Sequence, residues 1–202
     1  MDTRQYIIDG SARMFMDMGV KAVRMDDIAA HLTVSKRTIY ELFSDKRQIV
    51  AEALEYINAR QKQEHLAMFA EQDNIIEEII AMLRWWRAHA SKISRFIQDV
   101  RRLYPDIFHE YIACNNAEGF DMLRRKIVRG VEQGMLLPEI DVETTLFVIT
   151  RSIEMLAFGE RSSLPENVTR QDVFRHIVLY FFRGVATKKG IRIIDEYINS
   201  NN

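Results

Sequence analysis

The sequence MDDIAAHLTVSKRTIYELFSDKRQIV, residues 25–50, contains two segments with helical spacing and a tight turn between them. Ile28, Ala29 and Leu32 supply the apolar face of the first segment. Ala29 is small enough to let a neighbouring helix cross closely at this point. The pattern indicates two short helices that pack against each other.

The turn and the second segment carry the residues that such a motif needs. Thr33-Val34 forms the turn, and Val34 can fill a buried space beside it. Ser35 lies where an N-cap belongs, because its hydroxyl can accept a backbone N–H that the first helical turn leaves unpaired. Ile39 and Phe43 direct the second helix back to the core. These features predict a helix-turn-helix whose second helix enters the major groove of DNA.

Two basic pairs, Lys36-Arg37 and Lys46-Arg47, lie in the first turns of two predicted helices. The helix macrodipole disfavours cations there, by a few tenths to about 1 kcal/mol each. Phosphate is a natural ligand of a helix N-terminus, so DNA phosphates beside both pairs would reverse this cost. Solvated surface charge is the alternative interpretation of either pair alone. Both pairs together, within a helix-turn-helix, favour DNA binding.

The rest of the chain also predicts helices, and the fold class is all-α. No Gly or Pro occurs between Gly19 and Pro105, and apolar residues recur with helical rather than alternating spacing. Gly19 ends the first helix, Pro105 suits a first helical turn, and Asp141 can cap a later helix. Thr169-x-x-Asp172 is a capping-box pattern. The predicted helices are about 3–18, 25–32, 36–43, 45–70, 74–90, 92–104, 105–134 with a break near Gly119, 142–159 and 170–187.

Composition is that of an ordinary globular protein. The 202 residues are 48% hydrophobic and 28% charged, with a formal net charge of -1. This charge does not by itself indicate a nucleic-acid partner, since such domains tend to be basic. Cys114 is the single cysteine, so we expect no internal disulfide. No apolar run reaches the roughly 18 residues of a membrane span, and we expect a cytoplasmic protein.

About residues 4–50 resemble the DNA-binding domain of the tetracycline-repressor (TetR/AcrR-type) family. The most characteristic stretch is Thr38-x-Tyr40-x-x-Phe43-x-x-Lys46. The other matching residues are Ile8, Ala12, Phe15, Gly19, Ile28-Ala29, Val34-Ser35 and Ile39. The resemblance implies a three-helix DNA-binding domain, residues 1–47, and a larger helical domain, residues 48–202, that dimerises and often binds a small molecule.

The resemblance also assigns DNA contacts to individual residues. Tyr40 and Lys46 match positions that contact phosphates, and Lys36, Arg37 and Thr38 match positions that face the groove. Four positions depart from the family pattern, and one of them, Leu42, replaces a residue that is often aromatic or His and is assigned no contact. Thr33 stands where glycine is common, and a positive φ there would strain this β-branched residue. Arg37 replaces a frequent glycine and is long enough to reach a guanine. Arg24 replaces a usual Ser or Thr cap, and we expect it to contact a phosphate instead.

The remaining helices match the family loosely, and residues 120–160 resemble its seventh and eighth helices. By resemblance, the two apolar helices near the C-terminus pair with their copies in a homodimer, and two recognition helices then bind a pseudo-palindromic operator. The expected interface residues are Phe147, Ile153, Val173, Ile177, Phe181 and Gly184. The family places a ligand cavity in the middle helices, where the candidate residues are Trp85, Trp86, Phe96, Phe108, Tyr111, Cys114 and Phe120. Ordinary core packing is the alternative for each of them.

The sequence favours a repressor released by a small-molecule effector, and two other functions are the alternatives. An enzyme would need a constellation that the sequence lacks, since there is no Gly-rich phosphate loop and no G-x-S-x-G motif. His109-Glu110 begins like a zinc-protease motif, but Ala113 stands at the position of the second histidine. We therefore expect no catalysis, no cofactor and no metal. The second alternative keeps the DNA-binding fold under the control of a protein partner or of no ligand.

Overall fold

The computed structural model describes residues 2–158 and 165–200, with the side chains of residues 90, 91, 113–117, 154 and 156–158 left aside. The described residues form helices, with one isolated antiparallel bridge between Leu136 and Ala186. The helices are α1 Thr3–Met18, α2 Met25–Leu32, α3 Lys36–Leu42, α4 Lys46–Ala70, α5 Ile75–Leu103, α6 Pro105–Glu132, α7 Val142–Phe158, α8 Arg170–Val185 and α9 Lys188–Ser200. The all-α prediction is confirmed. Among these helices, none has both the length and the apolar character needed to cross a membrane.

Most of the predicted helix ends are confirmed, because local hydrogen bonds determine them. Gly19 follows α1 with a φ of +85°, a conformation that glycine adopts without strain. The Asp141 carboxylate accepts the backbone N–H of Thr144 at 2.7 Å at the start of α7. The capping box of α8 is present in both directions, with Thr169 and Asp172 each accepting the other's backbone N–H at 3.1 Å.

Three predictions about the helices are wrong. The predicted helices 74–90 and 92–104 are one helix, α5, since no Gly or Pro interrupts it. The predicted break near Gly119 is absent, and α6 continues through it. The helix α9 was not predicted, although Ile191, Ile194 and Ile198 have helical spacing. Tertiary contacts separate α8 from α9, since the backbone N–H of Thr187 donates to the carbonyl of Met135 at 2.9 Å.

The chain divides into two compact units. Unit 1 contains Met1–Glu64 and Ser91–Asn115, and unit 2 contains His65–Ala90 and Asn116–Asn202. Helices α4, α5 and α6 each continue from one unit into the other along the chain. This division follows packing, whereas the predicted boundary after residue 47 concerns function and stays a prediction.

The core of unit 1 joins the three N-terminal helices to the second half of α5. The rings of Phe15 and Phe96 are stacked with 6.0 Å between their centroids, and neither side chain is exposed. Asp99 on α5 accepts the backbone N–H of Val20 at 2.8 Å, in the loop that follows α1. The second half of α5 is therefore an integral part of the unit that contains the helix-turn-helix.

The core of unit 2 is formed by apolar residues of α5 to α9 and the loop before α7. Its fully buried members include Ile75, Ile76, Ile127, Leu136, Ile149 and Val178. Glu78 is buried among them and forms ion pairs with Lys126 and Arg129 of α6. These pairs satisfy a carboxylate whose burial alone would be costly.

Candidate nucleic-acid interface

The turn between α2 and α3 has the strained geometry that the sequence suggested. Thr33 has a φ of +56° and a ψ of +39°, and it is the one non-glycine residue with positive φ in the described part of the chain. The backbone N–H of Val34 donates to the carbonyl of Ala29 at 3.1 Å, which closes the end of α2. A left-handed β-branched residue is unfavourable, so the surrounding packing must hold this turn.

Buried residues and one cap determine which side of α3 faces outward. The Ser35 hydroxyl accepts the backbone N–H of Thr38 at 2.9 Å, as predicted. Ile39 and Phe43 are each only 1% exposed, so this side of α3 belongs to the core. The exposed residues of α3 are Tyr40, which is 55% exposed, and three charged residues. These are Lys36, Arg37 and Glu41.

Arg4 fixes the end of α3, although nothing in the sequence singled it out. Its Nη1 donates to the carbonyl of Leu42 at 2.6 Å, and its Nε donates to the Glu52 carboxylate at 3.0 Å. Its guanidinium lies 4.5 Å from the centroid of the Phe43 ring. Glu52 is 48 positions away along the chain, so no local pattern could have revealed this contact.

The two cations at the start of α3 have nearby carboxylate partners. Lys36 Nζ lies 2.7 Å from the Asp26 carboxylate of α2. Arg37 Nε donates to the Glu41 carboxylate at 2.7 Å, one turn further along α3. All four side chains are more than half exposed. Exposed ion pairs contribute little to stability, so a phosphate or a base can approach either cation at small cost.

Lys46 begins α4 in a partly buried position. Its Nζ donates to the carbonyl of Val20 at 2.5 Å. Burial lowers the pKa of Lys46, because it disfavours the charged form, while the carboxylates of Asp27 and Asp99 raise the pKa. An ammonium group has three N–H donors, and the bond to Val20 uses one of them.

The neighbouring residue, Arg47, connects α4 to the start of α6 within unit 1. Its guanidinium forms an ion pair with Asp106 and lies 5.9 Å from the centroid of the Tyr104 ring. Each residue of the two predicted basic pairs therefore already has a protein partner. Any DNA phosphate that reaches Arg47 competes with Asp106.

Arg24 lies at the N-cap position of α2 with an exposed side chain. Its backbone N–H donates to the Asp27 carboxylate at 2.7 Å. A capping box has two hydrogen bonds, and the one from the N-cap backbone N–H to the side chain three residues later does not require Ser or Thr at the cap. Asp27 accepts this bond. The Arg24 guanidinium is not needed for capping.

Comparison with known proteins identifies a family whose sequence model matches this motif. The sequence model of the bacterial regulatory proteins of the tetR family matches residues 7–53. These residues extend from α1 into α4 and include the whole helix-turn-helix. Residues 7–53 therefore carry the DNA-binding motif of the tetR family.

Similar proteins match over most of the chain, and the solved structures among them share its fold. YhgD of Bacillus subtilis (strain 168), an uncharacterized HTH-type transcriptional regulator, is 24% identical over 192 residues, covering 92% of this chain and 98% of YhgD. A tetR-family regulator from Cytophaga hutchinsonii has a TM-score of 0.72 at 18% identity, covering 92% of this chain and 96% of that one. A transcriptional regulator from Saccharomonospora viridis in complex with choline has a TM-score of 0.72 at 17% identity, covering 92% and 98%.

These findings establish the class of protein. The chain is a transcriptional regulator, and the tetR family and these relatives are not enzymes. In the residues that the structure describes, no group of three or more His, Cys, Asp or Glu side chains is arranged to hold a metal ion.

The residues predicted for the dimer interface all lie in unit 2, on α7 and α8. Phe147 is 61% exposed, whereas Ile153, Val173, Ile177 and Phe181 are half-buried. A Cβ built on Gly184 would meet no atom within 4 Å. Three further exposed apolar residues, Val148, Met155 and Tyr180, lie on the same two helices.

The residues predicted to line a ligand pocket are divided between the two units. Phe96 and Phe108 are buried in unit 1, and the Tyr111 hydroxyl there donates to the Asn58 side chain at 3.1 Å. Burial raises the pKa of this hydroxyl. Trp85, Trp86 and Phe120 are half-buried in unit 2, and the side chain of Cys114 lies outside the described part of the structure.

Unit 2 contains a cluster of rings around Trp85. The centroid of the Trp85 ring lies 4.4 Å from that of His65 and 4.7 Å from that of His89. Trp86 instead packs on Phe174 of α8, with 5.2 Å between the ring centroids. A shallow surface pocket of about 50 Å³ lies elsewhere in unit 2, on α8 and α9, and is lined by Arg175, His176, Leu179, Tyr180 and Ile198.

Proposed function

We propose that this regulator is a homodimeric repressor, which binds a pseudo-palindromic operator through α3 and is released by a small-molecule effector. The outward side of α3 is the observation that carries the proposal. Ile39 and Phe43 anchor the helix, and Lys36, Arg37 and Tyr40 are exposed at its surface. Positive charge on the exposed side of the second helix is what a major-groove helix requires.

Within this interface, the proposed contacts fall into two kinds. Lys36, Arg37 and Thr38 face the groove, and Arg37 donates to a guanine. Arg24, Tyr40 and Lys46 contact phosphates, which position the protein without selecting a sequence. The exposed tyrosine hydroxyl and the remaining N–H donors of Lys46 support these assignments.

The dimer is proposed to form through α7 and α8. Phe147 and Met155 are 61% and 71% exposed, the two largest values among the large apolar side chains that the structure describes. Their burial against a second copy would be favourable by about 25 cal/mol per Å² of apolar surface. Gly184 has open space around it and allows a partner helix to approach closely.

The effector is proposed to be an apolar or amphipathic small molecule that binds in unit 2 beside Trp85, Trp86 and Phe120. The cluster of rings around Trp85 supports this choice, since aromatic rings line many small-molecule sites. The pocket on α8 and α9 is smaller than the roughly 300–1,000 Å³ typical of such sites.

Release from the operator then follows from chain connectivity. Helix α4 begins beside the DNA-binding residues and ends in unit 2. A ligand that displaces α4 changes the distance between the two recognition helices of a dimer, so contacts are lost on both half-sites. Each tenfold loss of DNA affinity requires about 1.4 kcal/mol of preference for the displaced state.

Control by a protein partner, or by no ligand, is the second candidate. The complete burial of Phe96, with Phe108 only 6% exposed, favours it, because buried residues of the predicted pocket cannot receive a ligand without rearrangement. A thermal-shift screen that includes choline and a set of apolar compounds, followed by operator titration with each hit, separates the two. A bound compound that leaves operator affinity unchanged would reject the effector mechanism, since coupling must be reciprocal.

DNA titration of two variants tests the proposed contacts. Lys46→Ala should weaken binding to operator and scrambled duplexes alike and reduce the salt dependence by about one charge. Arg37→Ala should relax the preference at one base position, by about 1–3 kcal/mol. Thermal melting of Lys46→Ala shows separately what the lost bond to Val20 does to stability. Unchanged affinity in Lys46→Ala would contradict the phosphate contact.

A further inference from the structure

We propose that Glu41 determines the operator preference by holding the Arg37 guanidinium in position to contact a guanine. This inference rests on the proposed function, in which α3 lies in the major groove. Glu41 makes no base contact of its own in this scheme and is a positioning residue.

The contact between Arg37 and Glu41 leaves the terminal nitrogens of the Arg37 guanidinium available for a base contact. Glu41 Oε1 accepts a hydrogen bond from Nε at 2.7 Å. Nε is the inner nitrogen of the guanidinium, and the two terminal nitrogens carry the parallel donors that match guanine O6 and N7. The hydrogen bond at Nε therefore restrains the guanidinium without using either terminal nitrogen.

Helix stability does not account for this pair. Arg37 lies in the first turn of α3 and Glu41 near its end, so each charge is at the end that the macrodipole disfavours. Arginine before glutamate is also the weaker order for a pair spaced by four residues. The two side chains are 88% and 58% exposed, and solvent screens their attraction.

A carboxylate on this side of α3 also has a cost for DNA binding. Glu41 lies next to Tyr40 on the outward side of the helix, where DNA phosphates would repel it. An uncharged residue there would increase affinity for any duplex. A glutamate on this surface is favourable if it improves the discrimination between the operator and other DNA. Orienting Arg37 would improve that discrimination.

Orientation by Glu41 improves discrimination in two ways. A restrained arginine loses less conformational freedom when it binds guanine, so the correct base gains more of the interaction. The same carboxylate repels phosphates and weakens binding to unrelated sequences. The ratio of the affinity for the operator to the affinity for unrelated DNA is therefore larger than Arg37 alone would give.

Titration of Glu41 variants against matched duplexes tests the proposal. The duplexes are an operator selected from random DNA, the operator with its guanine replaced, and a scrambled sequence. Glu41→Ala should reduce the preference for the guanine by about tenfold, part of the discrimination expected of a bidentate contact, while binding to the scrambled duplex becomes tighter. Glu41→Gln keeps an oxygen that can accept from Nε, so it should retain the preference while also binding scrambled DNA more tightly.

Asp26→Asn is the matched control, because it removes a carboxylate that pairs with Lys36 rather than Arg37. It should strengthen binding to the scrambled duplex without changing the guanine preference. The double variant Arg37→Ala with Glu41→Ala should show the same preference as Arg37→Ala alone, since Glu41 acts through Arg37.

The outcomes distinguish this inference from the function on which it rests. If Arg37→Ala relaxes the preference and Glu41→Ala does not, the role of Glu41 is wrong and the proposed reading by Arg37 stands. If Arg37→Ala leaves every base preference unchanged, both are wrong. If Glu41→Gln loses the preference as fully as Glu41→Ala, charge rather than the hydrogen bond is responsible, and the positioning role is rejected.

Discussion

Thr33 shows how a single backbone conformation connects the sequence to the DNA-binding motif. Glycine is common at this position in the family, which predicts that a threonine here is strained. The φ of +56° at Thr33 confirms this prediction. Whether the turn adopts this conformation depends on how α2 and α3 pack, which the local sequence does not contain. Val34, beside it, is half-buried and so only partly fills the space expected of it.

Replacing Thr33 with glycine should raise the free energy of unfolding by about 1 kcal/mol. The substitution removes a left-handed β-branched residue, which costs about 1–2 kcal/mol, and part of the gain is lost to the greater freedom of glycine in the unfolded chain. Urea denaturation measures the change, and Thr33→Ala, which keeps a Cβ, should gain less. Destabilisation by Thr33→Gly would show that the threonine side chain supports the turn.

At the scale of elements, the sequence predicted the helices that local signals determine. The caps at Ser35, Asp141 and Thr169 were found because each bonds to a residue three positions away. The continuous α5 and the extra α9 were not predicted. Serine is a common capping residue, so a serine in the middle of α5 suggested a helix start there. Tertiary hydrogen bonds, including that between Thr187 and Met135, separate α9 from α8.

The residues of the candidate site could be named from the sequence, and their DNA contacts stay a prediction. Arg24, Lys36, Arg37, Thr38, Tyr40 and Lys46 could be named because the family motif spans them. Their partners could not be named, since Val20 and Asp106 approach Lys46 and Arg47 only through the fold. The aromatic residues of the middle helices were grouped by composition alone, and the structure divides them between two packed units.

The ion pairs of Glu78 join α5 to α6, and their loss should weaken unit 2. Glu78→Gln removes the charge that pairs with Lys126 and Arg129, and we expect a decrease of about 1–3 kcal/mol in the free energy of unfolding. The decrease is limited because the Arg129 side chain is 45% exposed. Asp121→Asn removes a half-exposed partner of Arg125 and should change stability by less than about 0.5 kcal/mol. Equal effects of the two substitutions in urea denaturation would contradict a special role for Glu78.

For the whole molecule, the proposed dimer predicts a change of oligomeric state. Phe147→Glu places a charge on the exposed apolar surface of α7 and should convert a micromolar dimer into a monomer. Phe147 is 61% exposed, so the substitution should leave the fold of the monomer intact. Leu66→Glu, at another exposed apolar residue, on α4 rather than α7 or α8, should leave the dimer unchanged. Light scattering that finds a monomer for the unmodified chain, or a dimer for Phe147→Glu, would refute this interface.

Selection of bound duplexes from a random DNA library tests dimeric recognition through α3 directly. A two-fold dimer should enrich one motif made of two inverted half-sites, with centres roughly 34–36 Å apart or somewhat wider. The Arg37→Ala variant should enrich the same spacing with one base position relaxed in both half-sites, because the two copies of α3 are equivalent. A single half-site without its inverted repeat, or no enrichment above scrambled DNA, would contradict the proposed operator and the dimer together.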